Sequence, residues 1–324
     1  MGVGVFGRNH ARVYHELAKE GVVRFAGVYD ADAGRATAVA KEFGAEVFPS
    51  LESLAGKVDA ASVAVPTVQH LAVARALMEN GIDVLIEKPL AAALAEADEI
   101  ARVATANGRI VQVGHLERFN PAVQATLPLV RQPLFFEVHR LSIFTARALD
   151  VDVILDLMIH DLDVVLSLVQ APVSEVRAVG IPVISDKVDI ANVRLDFENG
   201  CVANFTASRV STERVRKLRF FQPHQYISVD YSRQDVMVFT VGEEGGLPLP
   251  GLPPGAKVSM AKPPVTGGEP LRAELRAFVE AVASRQAPRV GLADGRRALA
   301  LALEILAAIA RHGERINLAG GVRQ

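Results

Sequence analysis

The sequence predicts a two-domain protein: an α/β N-terminal domain built on a parallel sheet, followed by an α+β C-terminal domain with a large, mostly antiparallel open sheet. The chain has 324 residues, and a single core usually serves no more than about 250–300 residues. The first 120 residues alternate short apolar runs with helical stretches. The second half contains successive β-type runs joined by short turns. We therefore divide the chain into residues 1–120 and 121–324, near Asn120-Pro121.

The N-terminal elements follow the order strand, helix, strand. Strands separated by helices are joined by right-handed crossovers, which gives a parallel sheet. Continuously apolar strands also fit a sheet that is covered on both faces. The predicted strands are Val22–Tyr29, Ala60–Val65, Asp83–Ile86 and Ile110–Val113, and the predicted helices are Ala33–Phe43, Val68–Asn80 and Leu94–Asn107.

The C-terminal elements are one helix, a run of strands and two closing helices. Glu198-Asn199-Gly200 is a tight-turn signal between two of the strands, which indicates antiparallel neighbours. The predicted strands are Val176–Val183, Val188–Phe197, Val202–Ser208, Arg216–Phe221 and Tyr226–Tyr231. The predicted helices are Val153–Leu168, Leu271–Ser284 and Asp294–His312, and residues 245–268 are predicted to be a long loop rich in Gly and Pro.

Composition excludes several classes of protein. The chain is 50% hydrophobic and 22% charged, as globular proteins are, and its net charge of −2 offers no basic excess for nucleic acid or an anionic membrane. The longest strongly apolar stretch, Ala298–Ala310, contains Glu304 and is shorter than the ~20 residues of a membrane span. The single cysteine, Cys201, cannot form an intrachain disulfide, so we expect a cytoplasmic location.

A glycine pattern at the N-terminus predicts a dinucleotide site. Gly2, Gly4 and Gly7 form G-x-G-x-x-G, in which glycines let the backbone approach a pyrophosphate at the start of the next helix. Asp30 ends the next strand, where an acid hydrogen-bonds the adenosine ribose and repels a 2′-phosphate, so NAD is favoured over NADP. The alternatives are a coincidence of glycines and a turn or helix-cap role for Asp30. Arg35 could soften the preference for NAD; the alternative, which we favour, is a solvated helix residue.

The start of the chain departs from this pattern. The glycine fingerprint normally follows a buried strand, yet only Met1 precedes Gly2. We therefore expect a strand of about five residues upstream of Met1, so that the first strand of the domain is truncated in this sequence. The alternative is that Val3–Phe6 itself forms a short first strand.

Glu87-Lys88-Pro89 closes the apolar strand Val84–Ile86. In open parallel sheets ligands bind beyond the carboxyl ends of the strands, so Lys88 is expected near the nicotinamide. A partly desolvated lysine can hold a substrate hydroxyl and help to move its proton. The alternative is an ordinary surface lysine at a strand end.

Three polar residues interrupt an apolar helix in the second half. Asp156, His160 and Asp163 follow one another at i, i+4 and i+7, which places them on one face of an α-helix, with Asp161 off that face. Asp156 can orient the ring of His160 and raise its basicity, so His160 is a candidate general base. The alternatives are a structural buried His–Asp pair and a metal site. The lack of another His or Cys at ligand spacing counts against a metal.

Together these motifs resemble the glucose-fructose oxidoreductase / inositol dehydrogenase / rhizopine catabolism (Gfo/Idh/MocA) family over nearly the whole chain. The fold of that family pairs a Rossmann domain with an open-sheet domain. The matching elements are the glycine pattern with His10, Asp30, Val65-Pro66-Thr67 with His70, Glu87-Lys88-Pro89, Gly114-His115 with Arg118-Phe119-Asn120-Pro121, and Asp156-x-x-x-His160-x-x-Asp163.

The resemblance implies hydride transfer between a nicotinamide and a sugar or cyclitol carbon. Lys88 and His160 match the usual catalytic pair, and Asp156 matches its usual partner. The positions that match substrate contacts are Lys88, Arg118, Asp156 and His160, and those that match cofactor contacts include Pro66, His70, Glu87 and Gln112. The family usually forms dimers or tetramers through the open face of the C-terminal sheet.

Within the family, the stretch from His139-Arg140-Leu141-Ser142 through Asp156-Leu-Met-Ile-His160-Asp161 resembles nucleotide-sugar 3-dehydrogenases that act on UDP-N-acetylglucosamine. Arg140 and Arg147 could meet the pyrophosphate of such a substrate, since guanidinium groups suit phosphate. Arginines on a solvated strand or loop are the alternative. The leading hypothesis is thus an NAD-dependent sugar dehydrogenase. The competing hypotheses are a free-sugar or inositol dehydrogenase and a non-catalytic NAD- or sugar-sensing regulator.

Overall fold

The computed structural model describes residues 1–145, 151–248, 250–251 and 253–315. These residues form two compact units. The first contains Met1–Phe119 and Glu269–Leu299, and the second contains Asn120–Gly268 and the residues from Ala300 onward. The second unit thus begins at Asn120. The second predicted domain is not one continuous segment, however, because residues 269–299 return to the first unit.

The first unit contains two pieces of parallel sheet. Strand β1 (Gly27–Val28) pairs with β2 (Glu46–Val47), and a second piece has the order β3 (Ala60–Val63), β4 (Asp83–Glu87), β5 (Val111–Gly114). Helices alternate with these strands, as predicted for a Rossmann domain: α1 (Val5–Lys19), α2 (Ala33–Phe43), α3 (His70–Glu79) and α4 (Leu94–Ala106). All five residues of β4 are buried, which fits the apolar Val84-Leu85-Ile86 at its centre and its central place in this piece of sheet.

The backbone of Met1 and Gly2 lies between the two pieces of sheet. The Gly2 N–H donates to the Tyr29 carbonyl at 2.9 Å, and the Ala64 N–H donates to the Met1 carbonyl at 2.8 Å. The Met1 ammonium donates to the Ser62 carbonyl, and burial lowers the pKa of this amine to about 6, although Asp30 acts against the shift. The alternative prediction of a strand over Val3–Phe6 is wrong, because the helix already begins at Val5.

A cavity of about 720 Å³ lies beside this segment and is lined by Tyr14, Phe25, Val28, Ser62 and Phe278, among others. The strand predicted over Val22–Tyr29 is reduced to Gly27–Val28. Its pairing comes from Gly2 on one side and from the two residues of β2 on the other, so the ladder supports only a short strand.

The second unit is dominated by an eight-stranded sheet. Its strands, in chain order, are β6 (Phe135–Ile143), β7 (Val173–Ile181), β8 (Ile190–Phe197), β9 (Val202–Ser211), β10 (Val215–Gln222), β11 (Gln225–Asp230), β12 (Asp235–Gly242) and β13 (Lys257–Ala261). Their order across the sheet is β13-β12-β11-β10-β6-β9-β8-β7. Every neighbouring pair is antiparallel except β6 and β9, which are parallel.

One face of this sheet forms the core of the unit. Along β6 the residues Phe136, Val138 and Arg140 are buried, and the residues between them are partly exposed. This alternation is the signal for a half-buried strand, and it identifies β6, which the predicted elements omit. The predictions also omit β12, and β13 lies inside the predicted loop 245–268.

Four further helices complete the fold: α5 (Pro121–Thr126), α6 (Ile159–Leu168), α7 (Pro270–Ser284) and α8 (Leu292–Arg315). The apolar face of α7 explains why this segment returns to the first unit. Leu271, Leu275 and Phe278 pack in one buried cluster with Val13 and Leu17 of α1. Burying such side chains stabilises a fold by roughly 1.5–3 kcal/mol each, so this face holds α7 on the Rossmann unit.

Candidate functional site

In the first unit, the glycine pattern forms the turn that leads into α1. Gly2 has a φ of +74°, and a Cβ on Gly7 would lie 1.9 Å from the Gly2 carbonyl oxygen, so side chains at these two positions do not fit. Gly4 caps the helix, whose first turn carries no acidic residue. Apart from Gly4 and the chain next to it, no described residue has an atom within 4 Å of the point that a Cβ on Gly4 would occupy. An open helix N-terminus of this kind fits a pyrophosphate.

Asp30 joins this turn to the end of β1. Its carboxylate accepts hydrogen bonds from the Val3 N–H at 2.7 Å and the Asp32 N–H at 2.9 Å, and Arg35 lies 3.4 Å away. Burial raises the pKa of Asp30, but the two backbone donors and Arg35 outweigh it, so the pKa falls below its ordinary value. Asp30 is therefore an anion held against the glycine turn. Asp32, and not Asp30, caps α2.

Lys88 follows the carboxyl end of β4 and is partly exposed. The neighbouring Glu87 is buried, with its carboxylate 2.9 Å from His10 Nε2 and 3.3 Å from the Lys88 backbone N–H, which donates to it. A Cβ on Gly114 would come within 2.8 Å of that carboxylate, so a larger residue there would displace the Glu87 side chain. The sequence marked His10 and Gly114 as parts of the motifs but did not predict their contacts with Glu87.

His70 begins α3 and is completely buried. Its Nε2 lies 3.0 Å from the Val65 carbonyl, and its Nδ1 lies 3.1 Å from the Pro89 carbonyl and 3.3 Å from that of Leu90. Burial lowers the pKa of His70, against the opposite effect of these carbonyl groups. Both ring nitrogens of His70, which is expected to line the cofactor, face backbone carbonyl groups in this structure. Pro66, by contrast, is exposed beyond β3.

Gln112 and Arg118, which are expected to contact the cofactor and the substrate, lie in different surroundings. Gln112 is completely buried in β5, and its amide donates to the Glu274 carbonyl of α7 at 3.1 Å, so it presents no surface to a cofactor here. Arg118 keeps 16% of its side chain exposed and forms an ion pair with Asp294 at 3.9 Å. It therefore remains accessible to a substrate.

In the second unit, the segment that carries the predicted polar stripe is not a uniform α-helix. Residues Ile154–Met158 form a π-helical turn, and α6 follows from Ile159. Asp156 lies in the π-helical turn and is partly exposed, whereas His160 and Asp163 lie in α6 and are buried, with His160 at 9% exposure. The extra residue per turn changes the α-helical spacing that the sequence implied, and such turns recur at functional sites.

Arg140 and Asp161 form a buried ion pair that the sequence did not predict. Arg140 Nε lies 2.6 Å and Nη2 2.9 Å from the two oxygens of Asp161, and both side chains are at most 4% exposed. The Arg140 guanidinium also stacks over Tyr231 at 5.3 Å. Arg140 thus fixes α6 to β6, and its suggested contact with a substrate pyrophosphate is not supported. Arg147 lies outside the described residues.

The described residues contain neither a membrane-spanning helix nor a cluster of metal ligands. No helix in the described part of the chain is both long and apolar enough to cross a membrane. Within the same residues, no group of three or more His, Cys, Asp or Glu is arranged to hold a metal ion. Cys201 is a buried free thiol.

Comparison with known proteins identifies matches over both units. Residues 1–115 match the oxidoreductase family with an NAD-binding Rossmann fold, GFO_IDH_MocA, and residues 123–227 match the GFO/IDH/MocA C-terminal domain. UDP-N-acetylglucosamine 3-dehydrogenase from Acidithiobacillus ferrooxidans is 38% identical over 317 residues, which span 95% of this chain and 96% of that protein.

A solved structure of that dehydrogenase, GnnA from Acidithiobacillus ferrooxidans, has a TM-score of 0.86 at 36% identity and covers 95% of both chains. A shorter match is to inositol 2-dehydrogenase 1 from Saccharopolyspora erythraea, with 41% identity over 128 residues, 38% of this chain and 37% of that protein. The first two matches extend over both units, whereas the third covers only part of the chain.

Proposed function

The chain belongs to the GFO/IDH/MocA family of NAD-binding oxidoreductases, and from that premise we propose that it oxidises C3 of a UDP-N-acetylhexosamine with NAD. The observation that carries the substrate class is the 38% identity to UDP-N-acetylglucosamine 3-dehydrogenase, because the match spans 95% of this chain. Function depends on the residues of a site and not on the fold alone, so a full-length match is more informative than a match of the cofactor domain alone.

The cofactor half of the proposal rests on the glycine turn and Asp30. The open N-terminus of α1 suits the pyrophosphate, and Gly2, Gly4 and Gly7 keep side chains away from it. The Asp30 carboxylate would accept hydrogen bonds from the adenosine ribose and repel a 2′-phosphate, so NAD is preferred to NADP. Arg35 lies beside Asp30 but shares its charge with Asp30 and Asp32. Bound NAD would supply the hydride acceptor.

The chemical half of the proposal assigns three residues. An alcohol that loses a hydride from carbon must also lose its hydroxyl proton, and a histidine suits this near neutral pH. His160 accepts that proton, Asp156 orients the imidazole and contacts the substrate, and the Lys88 ammonium holds the reacting hydroxyl and stabilises the charge that develops on its oxygen. Arg118, which stays partly exposed, is a further substrate contact.

We also propose a cytoplasmic homodimer or homotetramer. The face of the C-terminal sheet opposite the core carries a row of partly exposed aromatic rings: Phe135, Phe221, Tyr226 and Phe239 follow one another with centroids 5.0–5.6 Å apart across four strands. Partly exposed aromatic side chains are enriched at protein interfaces, so a second copy of the sheet is the expected partner.

A substrate panel tests the proposal. The purified protein is incubated with NAD and, separately, with UDP-N-acetylglucosamine, UDP-glucose, free N-acetylglucosamine and myo-inositol, and NADH formation is followed. We expect kcat/KM to be highest for UDP-N-acetylglucosamine. Preference for inositol, to which the 41% identity over 128 residues points, would support the alternative of a free-sugar or inositol dehydrogenase. Tight NAD binding without turnover of any sugar would support a sensing regulator instead.

A further inference from the structure

Two buried histidines hold the residues on either side of Lys88. On one side, His10 of α1 is 3% exposed and its Nε2 lies 2.9 Å from the Glu87 carboxylate. On the other side, His70 of α3 is completely buried and its Nδ1 lies 3.1 Å from the Pro89 carbonyl. Lys88 is thus the residue between two separate anchors, one on its N-terminal neighbour and one on its C-terminal neighbour.

Each of these two histidine contacts is connected to a further hydrogen-bonding group. The second oxygen of Glu87 accepts the Lys88 N–H at 3.3 Å, so the first anchor continues from His10 through Glu87 to the Lys88 backbone. The opposite nitrogen of His70 lies 3.0 Å from the Val65 carbonyl, beyond β3. A neutral imidazole carries one N–H, so His70 donates to one of these turns and packs against the other. The Lys88 backbone is thus held from α1 through His10 and from α3 through His70.

We propose that His10 and His70 are positioning residues for Lys88. They fix the Lys88 backbone, so that the ammonium is held in one position relative to the reacting hydroxyl. This inference rests on the proposed role of Lys88 in catalysis. A lysine side chain is long and flexible, so the position of its ammonium depends on a fixed backbone. A displacement of about 1 Å in a catalytic group can cost about a hundredfold in rate. Both histidines are too deeply buried to meet a substrate.

The test uses two kinds of substitution at each histidine. His10→Phe and His70→Phe keep a ring of similar size and remove the polar contact, whereas His10→Gln restores a donor at the place of Nε2. We expect each Phe variant to lower kcat by about ten- to a hundredfold with little change in KM for NAD, and His10→Gln to recover most of the loss. Leu17→Ala in α1 and Met78→Ala in α3 are the matched controls, because they loosen the same helices at fully buried sites about two turns from each histidine. These controls should lower Tm but leave kcat unchanged at temperatures well below Tm.

A double-mutant cycle separates positioning from general stability. In a Lys88→Ala background, His10→Phe and His70→Phe should lower the residual kcat no further, because each acts through Lys88. Equal losses in both backgrounds would overturn the inference. So would Phe variants that keep wild-type kcat while Lys88→Ala loses it.

Amide hydrogen exchange keeps this inference separate from the proposed function. His10→Phe should speed exchange of the Lys88 N–H by on the order of tenfold, and His70→Phe should do so for the Leu90 N–H, since each loses an anchor. Unchanged exchange at both positions would overturn the inference whatever the enzyme's activity. If Lys88→Ala keeps full kcat while exchange rises as expected, the anchors hold the turn but the proposed role of Lys88 is wrong.

Discussion

A buried carboxylate supports the loop that precedes β8, and its removal should cost a calculable part of the stability. Asp189 is completely buried. One carboxylate oxygen accepts the N–H groups of Val183, Ile184 and Ser185 at 2.7–2.9 Å, and the other accepts the Ser185 hydroxyl at 2.7 Å. Burial raises the pKa of Asp189, but these donors overcome that effect and lower it from 3.8 to about 2.

The size of the pKa shift of Asp189 gives the contribution of its carboxylate to the free energy of unfolding. Because one pKa unit is worth ~1.4 kcal/mol, the preference of the fold for the charged carboxylate amounts to about 2 kcal/mol at neutral pH. The pKa is lower in the folded than in the unfolded chain, so this stabilisation is complete above about pH 4. It is lost as the pH falls through about 2. Asp189→Asn should therefore lower the free energy of unfolding by about 2 kcal/mol at pH 7 and flatten its dependence on acid.

Urea denaturation of the wild type and of Asp189→Asn at pH 7, followed by titration of stability toward pH 2, measures both effects. Asp186→Asn, in the same loop but exposed, is the matched control and should stay within about 0.5 kcal/mol of wild type. A loss below about 0.5 kcal/mol for Asp189→Asn, or parallel acid profiles for the variant and the wild type, would refute the reasoning.

Three further predictions concern the cofactor and the chemistry. Asp30→Asn should reduce the preference for NAD over NADP by about tenfold or more in calorimetric titration, because removing the nearby negative charge favours the 2′-phosphate. The control Asp32→Asn should change this preference little. An unchanged ratio of the two affinities in Asp30→Asn would place Asp30 away from the ribose. His160→Ala should lower kcat by about 10²–10⁴-fold with unchanged NAD affinity, and Asp156→Asn should lower kcat by a smaller factor. If His160→Ala keeps full kcat, His160 is a structural residue. Five apolar, strand-forming residues added before Met1 should raise Tm and NAD affinity by filling the 720 Å³ cavity. A Gly/Ser extension of equal length should raise neither. Equal changes in Tm and NAD affinity for the two extensions would mean that the cavity does not hold a strand.

The sequence predicted the elements whose patterns are local. The predicted helix Ala33–Phe43 has the same bounds in the structure, and the buried strand before Lys88 differs by one residue at its end. Apolar runs and helical periodicity carry this information directly, since they depend on neighbours along the chain. The glycine pattern likewise indicated a tight turn before a helix, and that turn is present.

The sequence could not predict features that depend on contacts distant in the chain. The ion pair between Arg140 and Asp161 joins residues on different elements, and no spacing rule connects them. Residues 269–299 belong to the first unit because the apolar face of α7 packs against α1. The periodicity of the α7 sequence shows that such a face exists but not which element it contacts. The π-helical turn at Asp156 needs one extra residue per turn, which a polar stripe at i and i+4 does not reveal.

The most direct test of the central claim follows the transferred atom. UDP-N-acetylglucosamine labelled with deuterium at C3 is incubated with NAD and the enzyme, and the reduced cofactor and sugar are analysed by mass spectrometry and NMR. We expect the label to move from C3 into the reduced nicotinamide and to leave a 3-keto sugar, and we expect His160→Ala to transfer it far more slowly. Reduced cofactor without the label, or a keto group at another carbon, would contradict the account.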